Sequence, residues 1–206
     1  MLYYLGLLGM AAFSVTGVIA AGKRDMDLFS IVLLGVVTAL GSGTLRDIIL
    51  DAHPIYWVAD LTYLWVSVIA AIATFFCVRI FSRLLKLFQY IDALGLGLFV
   101  ILAMEKTSSL GYGDTIAVLM GLITGITGGM VRDILTGRMP LVLGKEFYAT
   151  PALLGAIMLL FLNHYFPTNE YNKLYAIAVI IILRISAIQW GLYYPKWLIY
   201  GGKENN

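Results

Sequence analysis

The sequence has a single cysteine, Cys77, and only two histidines, His53 and His164. One thiol excludes an intramolecular disulfide. The histidines stand far apart, and no group of Cys, His and carboxylate residues has metal-ligand spacing. Charge is scarce as well: 13% of the 206 residues are charged, against about 25% in an ordinary soluble domain. The formal net charge of +2 forms no basic stripe, so nucleic acid is not an expected partner. No nucleophile triad, metal motif or phosphate loop is present. Neither an enzyme nor a resident cofactor is expected. The apolar start, Met1–Ala21, lacks a basic n-region and does not read as a cleaved signal peptide.

What fills the chain is apolar. Hydrophobic residues make up 61% of it, and the mean hydropathy is +0.89. This composition predicts an all-α, polytopic membrane protein. At about 20 apolar residues per span, there is room for seven spans and almost no soluble domain. The first is Met1–Ala21, followed by a charged turn, Gly22–Asp27. The second runs from Leu28 to Leu50, closed by Asp51-Ala52-His53-Pro54. The third covers Trp57–Ile80, with Trp57 and Trp65 as interface aromatics. Arg79, Arg83 and Lys86 form a basic linker. The fourth starts at Asp92 and ends before Glu105-Lys106, and Thr107–Asp114 is a polar loop. The fifth is Thr115–Leu135, the sixth Phe147–Tyr165 and the seventh Leu174–Tyr193. Phe166–Lys173 is a turn, and Pro195–Asn206 a polar tail.

One stretch recurs. Gly121–Pro140 reads GLITGITGGMVRDILTGRMP, and a shift of 86 positions finds its counterpart. Gly35, Thr38, Gly43, Arg46, Asp47, Ile48 and Pro54 fall on Gly121, Thr124, Gly129, Arg132, Asp133, Ile134 and Pro140. Phe13 falls on Phe99 in the same register. Leucine and glycine recur by chance in membrane helices, but an Arg-Asp pair does not. The pattern predicts a duplicated unit of three spans. Three is odd, so the copies insert in opposite directions about an axis in the membrane plane. The first repeat with its linker covers residues 1–90 and the inverted copy 91–167. The seventh span and the tail occupy 168–206.

Both recurring stretches carry glycine inside a span. Each interior glycine costs a helix roughly 1 kcal/mol, and a charge at the bilayer centre costs about 2.5–3.5 kcal/mol. The second and fifth spans are therefore expected to break at Gly41-Ser42-Gly43 and at Thr127-Gly128-Gly129. Each break comes about 14 residues in, roughly 21 Å along the helix and past the middle of a ~30 Å hydrocarbon core. Opposite insertion puts the breaks on opposite sides of the midplane. Freed carbonyls around Gly125 and its neighbours, with the hydroxyls of Thr38, Ser42, Thr44, Thr124 and Thr127, would supply oxygens that replace water around a permeating cation. No metal beyond that transient cation is implied. The competing explanation is packing. Small residues let helices approach closely in lipid, above all at Gly35, Gly121 and Gly155, and hydroxyls bond back to their own helix.

Arg46 and Arg132 sit awkwardly on a cation path. Residues i and i+1 diverge on a helix, so Asp47 and Asp133 are not expected to face them. The arginines read as helix locks or gate-shaping groups. They would bond freed carbonyls or an acid on another helix, with Asp92 on the inner side and Glu105 on the outer side as candidates. Arg184, about ten residues into the seventh span, needs a partner or water.

Charge asymmetry orients the chain. Lys23, Arg24, Arg79, Arg83, Lys86, Arg132, Arg138, Lys145, Lys196 and Lys203 collect on one side, and Arg46, Lys106 and Lys173 on the other. The positive-inside rule then predicts an outside N-terminus and a cytoplasmic C-terminus.

GSGTLRD at Gly41–Asp47, DALGLGLF at Asp92–Phe99 and GITGGMVRDILTGRMPLVL at Gly125–Leu143 resemble the prokaryotic members of the trimeric intracellular cation channel (TRIC) family, also filed under a glycine transporter label. LLGA at Leu153–Ala156 and LRISAIQW at Leu183–Trp190 fit too. The resemblance covers nearly the whole chain. It implies a seven-helix protomer of two inverted three-helix repeats plus one helix. It also implies a homotrimer in the cell membrane, with one pore per protomer that conducts monovalent cations such as potassium. Membrane lipid, with room for a bound lipid, is the other expected partner. Neither small-residue triplet is a full triple glycine, and Ala103 stands where a glycine is common. The lysine-bearing lipid or voltage motif of animal members has no counterpart, so neither voltage gating nor phosphoinositide binding is carried over. A carrier of a small zwitterion such as glycine is the alternative reading, and a non-transporting scaffold a weaker one.

Overall fold

The computed structural model describes residues 1–22, 26–81 and 85–195, with side chains for all of these except 78–81 and 85. Lys23, Arg24, Arg83, Lys196 and Lys203 lie outside the described residues, as does the side chain of Arg79. The described chain is all-helical apart from an isolated bridge between Glu146 and Tyr193.

Helix α1 spans Leu2–Ala21 and α2 spans Leu28–Ile49. Asp27 starts α2 by accepting the Ser30 amide at 2.7 Å, satisfying a donor that the first turn leaves unpaired. The third predicted span is in two pieces, α3 at Tyr56–Ala59 and α4 at Thr62–Phe81. Asp60 divides them. Its carboxylate accepts the Thr62 amide at 2.9 Å and the Tyr3 hydroxyl at 2.9 Å.

Helix α5 runs over Leu85–Ser109, longer at both ends than the sequence predicts. Asp92, Glu105 and Lys106 lie within it. They do not end the helix, because each is paired with a residue of another helix. Helices α6 (Asp114–Leu135), α7 (Ala149–Tyr165) and α8 (Asn172–Trp190) follow, with a 3-10 turn at Leu141–Leu143. α1, α2, α5, α6 and α8 are long and apolar enough to cross a membrane, and Thr62–Cys77 and Ala149–Tyr165 are shorter apolar stretches.

The predicted breaks are absent. α2 and α6 are each one uninterrupted α-helix through Gly41-Ser42-Gly43 and Thr127-Gly128-Gly129. A low-propensity residue costs about 1 kcal/mol. A backbone group left unsatisfied in hydrocarbon costs several. The helical ladder therefore persists, and the glycines serve close approach. A Cβ on Gly17 would lie 2.7 Å from the Gly35 Cα, and one on Gly128 would lie 2.9 Å from the Thr38 carbonyl.

Helix ends gather at two faces. Tyr3 with Asp60, Glu105 with Lys173, and the Tyr112 hydroxyl on the Leu50 carbonyl mark the first face. Arg138 on the Ala20 carbonyl, Gln89 with Glu146, and the Tyr194 amide on the Lys145 carbonyl mark the second. α2 thus ends at the first face and α6 at the second, so the two run in opposite directions. One apolar core joins Leu96, Ile101 and Met104 of α5 to Ala156 and Leu159 of α7 and Ile180 of α8. Another gathers Met10, Phe13, Leu40 and Phe99 where α1, α2 and α5 meet.

Candidate functional site

α1, α2, α5 and α6 pack against one another, and Thr38, Ser42, Arg46 and Asp47 of α2 and Thr124, Arg132 and Asp133 of α6 are buried. Where α1 meets α5 the rings of Phe13 and Phe99 stack, with centroids 4.9 Å apart and planes at 17°. The contact is reciprocal. A Cβ on Gly9 would meet the Phe99 ring at 2.9 Å, and one on Gly95 would meet Phe13 at 2.5 Å. Gly9 and Gly95, like the two phenylalanines, are 86 positions apart. A Cβ on Gly128 would meet both the Phe13 ring and the Thr38 carbonyl at 2.9 Å; Ser42 and Thr124 are also buried, and their hydroxyls have no hydrogen-bond partner among the described residues.

Toward the first face lies a buried cluster around Asp47. Arg46 Nε and Nη2 reach Asp47 Oδ1 at 2.8 and 2.7 Å, and Lys106 Nζ donates to the same oxygen at 2.8 Å. The Tyr56 amide takes Asp47 Oδ2 at 2.9 Å. The Tyr56 ring lies under the Arg46 guanidinium at 5.5 Å, and its hydroxyl donates to the Leu40 carbonyl at 3.2 Å. A cavity of about 420 Å³ opens beside this cluster, with Met10, Tyr63, Phe99 and Leu102 in its wall and Glu105 and Lys106 also lining it.

Toward the second face the same backbone device recurs with different partners. Arg132 Nε donates to Asp133 Oδ1 at 2.9 Å, and the Leu141 amide takes Asp133 Oδ2 at 3.2 Å. Here Arg132 Nη1 meets a second carboxylate, Asp92 Oδ1, at 2.6 Å, and the Tyr148 hydroxyl donates to Asp92 Oδ2 at 2.9 Å. Phe88 underlies Arg132 at 4.5 Å, and Arg184 stacks on the Tyr148 ring at 4.6 Å. Arg184 also donates to the Phe147 carbonyl at 2.8 Å and lies 3.5 Å from Glu146.

The two clusters differ in formal charge. Arg46, Lys106 and Asp47 sum to +1, and Arg132, Asp133 and Asp92 to −1. α5 alone makes the difference, giving Lys106 to one cluster and Asp92 to the other. At the equivalent positions α1 has Ala20 and Gly6.

The family described as "Glycine transporter" matches this chain twice, over residues 3–79 and 89–164. The two matches begin 86 positions apart, as Phe13 and Phe99 do. The UPF0126 inner membrane protein YadS of Escherichia coli K12 is 38% identical over 201 residues, covering 97% of each chain. Among solved structures, the TRIC trimeric intracellular cation channel orthologue from Rhodobacter sphaeroides is similar at 35% identity and a TM-score of 0.88, covering 93% of this chain and 98% of that one. A prokaryotic TRIC channel solved in KCl matches at 31% identity and 0.85, over 92% and 96% of the two chains. The chain belongs to this TRIC family. It is a multi-pass membrane protein.

In this TRIC chain the residues singled out from sequence fall into three groups. Thr38, Ser42, Thr124 and Gly128 are buried along the seam between α2 and α6. Gly43, Gly125 and Gly129 make room for side chains of other elements: Tyr56 at Gly43, Val100 at Gly125, and Tyr148 with Asp92 at Gly129. Gly41, Thr44 and Thr127 stand apart. A Cβ on Gly41 would touch nothing within 4 Å. Thr44 accepts the Trp57 indole N–H at 2.9 Å, and Thr127 donates to the Ile123 carbonyl of its own helix at 2.6 Å.

The expectation that Asp47 and Asp133 would not face their neighbouring arginines is overturned. A guanidinium on a long stem near a helix end swings round to a carboxylate that is itself fixed by an amide beyond the helix. Arg46 does not meet Glu105, which pairs with Lys173; Lys106 joins the Arg46 cluster instead. Tyr56, Tyr148 and the Phe13–Phe99 stack had no signal in sequence as site residues, although the repeat register had paired the phenylalanines.

Proposed function

We propose that the chain is a cation channel, permeable to potassium, in which each protomer of a homotrimer carries its own path along the seam of α1, α2, α5 and α6. The observation that carries the function is the likeness, over more than nine-tenths of this chain, to structures described as TRIC cation channels. Supporting the location are the unpartnered Ser42 and Thr124 hydroxyls, buried between two charge clusters at opposite ends of the seam. Such oxygens are costly to bury unsatisfied and suit a hydrated cation. The Phe13–Phe99 stack is the constriction. In this reading Arg46 and Arg132 stay neutralised by Asp47, Asp92 and Asp133 and hold the helix ends, without touching the ion.

The frame is seven spans. Residues 1–90 and 91–167 form two inverted three-helix repeats, and 168–206 a seventh helix and tail. The protein sits in the cell's inner membrane, with lipid around the trimer. It is a transport protein and not an enzyme. The family description favours a second reading, a carrier of a small zwitterion such as glycine. Purified protein in planar bilayers under a potassium gradient separates them. A channel gives unitary currents, whereas a carrier gives labelled-glycine uptake with no resolvable current steps. Silent bilayers with glycine uptake would sink the channel.

A further inference from the structure

The cavity at the first face has a chemistry that the cation path does not require. Both Arg46 and Lys106 lean on one oxygen of Asp47, whose other oxygen is committed to the Tyr56 amide. The trio keeps a formal charge of +1. Glu105 lines the same cavity, but its carboxylate is paired with Lys173 and leaves that charge uncompensated. The rest of the wall is mostly apolar, with Met10, Phe99, Leu102 and the Tyr63 ring around about 420 Å³ and Ser109 as a further polar group, within the range of small-molecule clefts.

We propose that this cavity binds a small monocarboxylate with a short apolar tail. Its carboxylate sits on Lys106 and Arg46, and its tail lies against Met10, Tyr63, Phe99 and Leu102. A charge beside low-dielectric walls is costly unless paired, and a carboxylate pairs it through charge-assisted hydrogen bonds. Inorganic anions and glycine would leave the apolar wall wet, whereas an alkyl tail removes it from water. The other cluster has no such pull on an anion, because it is formally −1 and the Tyr148 hydroxyl already donates to Asp92. An occupant resting on Phe99 covers the seam's constriction, so it blocks current from the first face. Binding follows from the cavity alone; block rests also on the channel reading.

The test uses purified full-length protein in lipid nanodiscs, titrated calorimetrically with sodium hexanoate against empty nanodiscs. Hexylammonium chloride and glycine serve as comparisons. Saturable hexanoate binding is expected at one site per chain, with neither comparison binding as tightly. Lys106→Gln should weaken it about tenfold, the loss of one charged hydrogen bond, and Lys106→Arg should retain it. Leu102→Trp should abolish it by filling the apolar space with all charges in place. Absent binding, equal binding of hexylammonium or glycine, or wild-type affinity in both Lys106→Gln and Leu102→Trp overturns the proposal. In bilayers, hexanoate on the first-face side should lower the potassium current. Channels that conduct but ignore bound hexanoate overturn the blocking claim. Bilayers silent without hexanoate count against the channel, and the calorimetry still decides the site.

Discussion

Asp92 shows how a single residue sets the character of one end of the seam. It is fully buried and holds both Arg132 and the Tyr148 hydroxyl. Removing one member of a buried ion pair costs about 3–5 kcal/mol, because the other charge is stranded. Asp92→Asn should lower the thermal unfolding midpoint in detergent markedly. A combined change of Asp92→Leu, Arg132→Met and Asp133→Asn should cost less than the single one, since all three buried charges of the cluster go together. A single variant as stable as wild type would show that Asp133 alone suffices for Arg132.

The Phe13–Phe99 stack is the second residue-scale case. If it is the constriction, Phe99→Ala widens the path and raises the unitary potassium current. Deleting a buried ring costs about 3–5 kcal/mol, so Phe99→Leu serves as the better-folded companion, with a smaller rise. Unchanged currents in both would place the narrow point elsewhere.

At the scale of elements, Asp27 gives a pH-dependent helix start. Its carboxyl is held below the usual aspartate range by the Ser30 amide first, and by further bonding to Ser30. A carboxyl with a depressed folded pKa adds stability above the unfolded value, near 4, and loses it as pH falls through the folded value. The protection of the amides in the first turn of α2, taken against their intrinsic exchange rate at each pH, should therefore fall as pH drops below about 4. Asp27→Asn still caps and should abolish that pH dependence. A variant that keeps it would assign the effect to another group.

Element boundaries also show what the sequence could and could not reveal. The starts of α2 and α6 were legible from Asp27 and from the loop before Asp114, and the Arg-Asp repeat located both clusters. The extent of α5 was not. Asp92, Glu105 and Lys106 look like chain-end charges until their partners on other helices are known, and those partners lie 40 to 68 residues away. The uninterrupted α2 and α6 were hidden for a related reason. Propensity weighs a glycine alone, whereas the ladder is kept by hydrocarbon outside and by a neighbouring helix at the glycine.

At the scale of the whole molecule, the remaining asymmetry is which face meets the cytoplasm. Arg138 and Lys145 lie toward the second face in the stretch after α6, whereas the first-face cations all meet acids: Arg46 and Lys106 share Asp47, keeping their +1, and Lys173 pairs with Glu105. Loops with surplus Lys and Arg stay inside, so the second face is expected to be cytoplasmic and Met1 to lie outside. Cys77, in the second-face half of α4, is the only cysteine. Single cysteines can therefore be placed in a Cys77→Ser background without interference. A cysteine at Tyr112, in the loop between α5 and α6, should react with a membrane-impermeant maleimide on intact cells. One at Gly137, just past α6, should react only after the membrane is opened. Labelling of both on intact cells would mean that α6 does not cross the membrane, and the seam it forms with α2 would not be a path across it. Reversed labelling would keep the fold and turn it over in the membrane, so that hexanoate would have to reach its cavity from the cytoplasm.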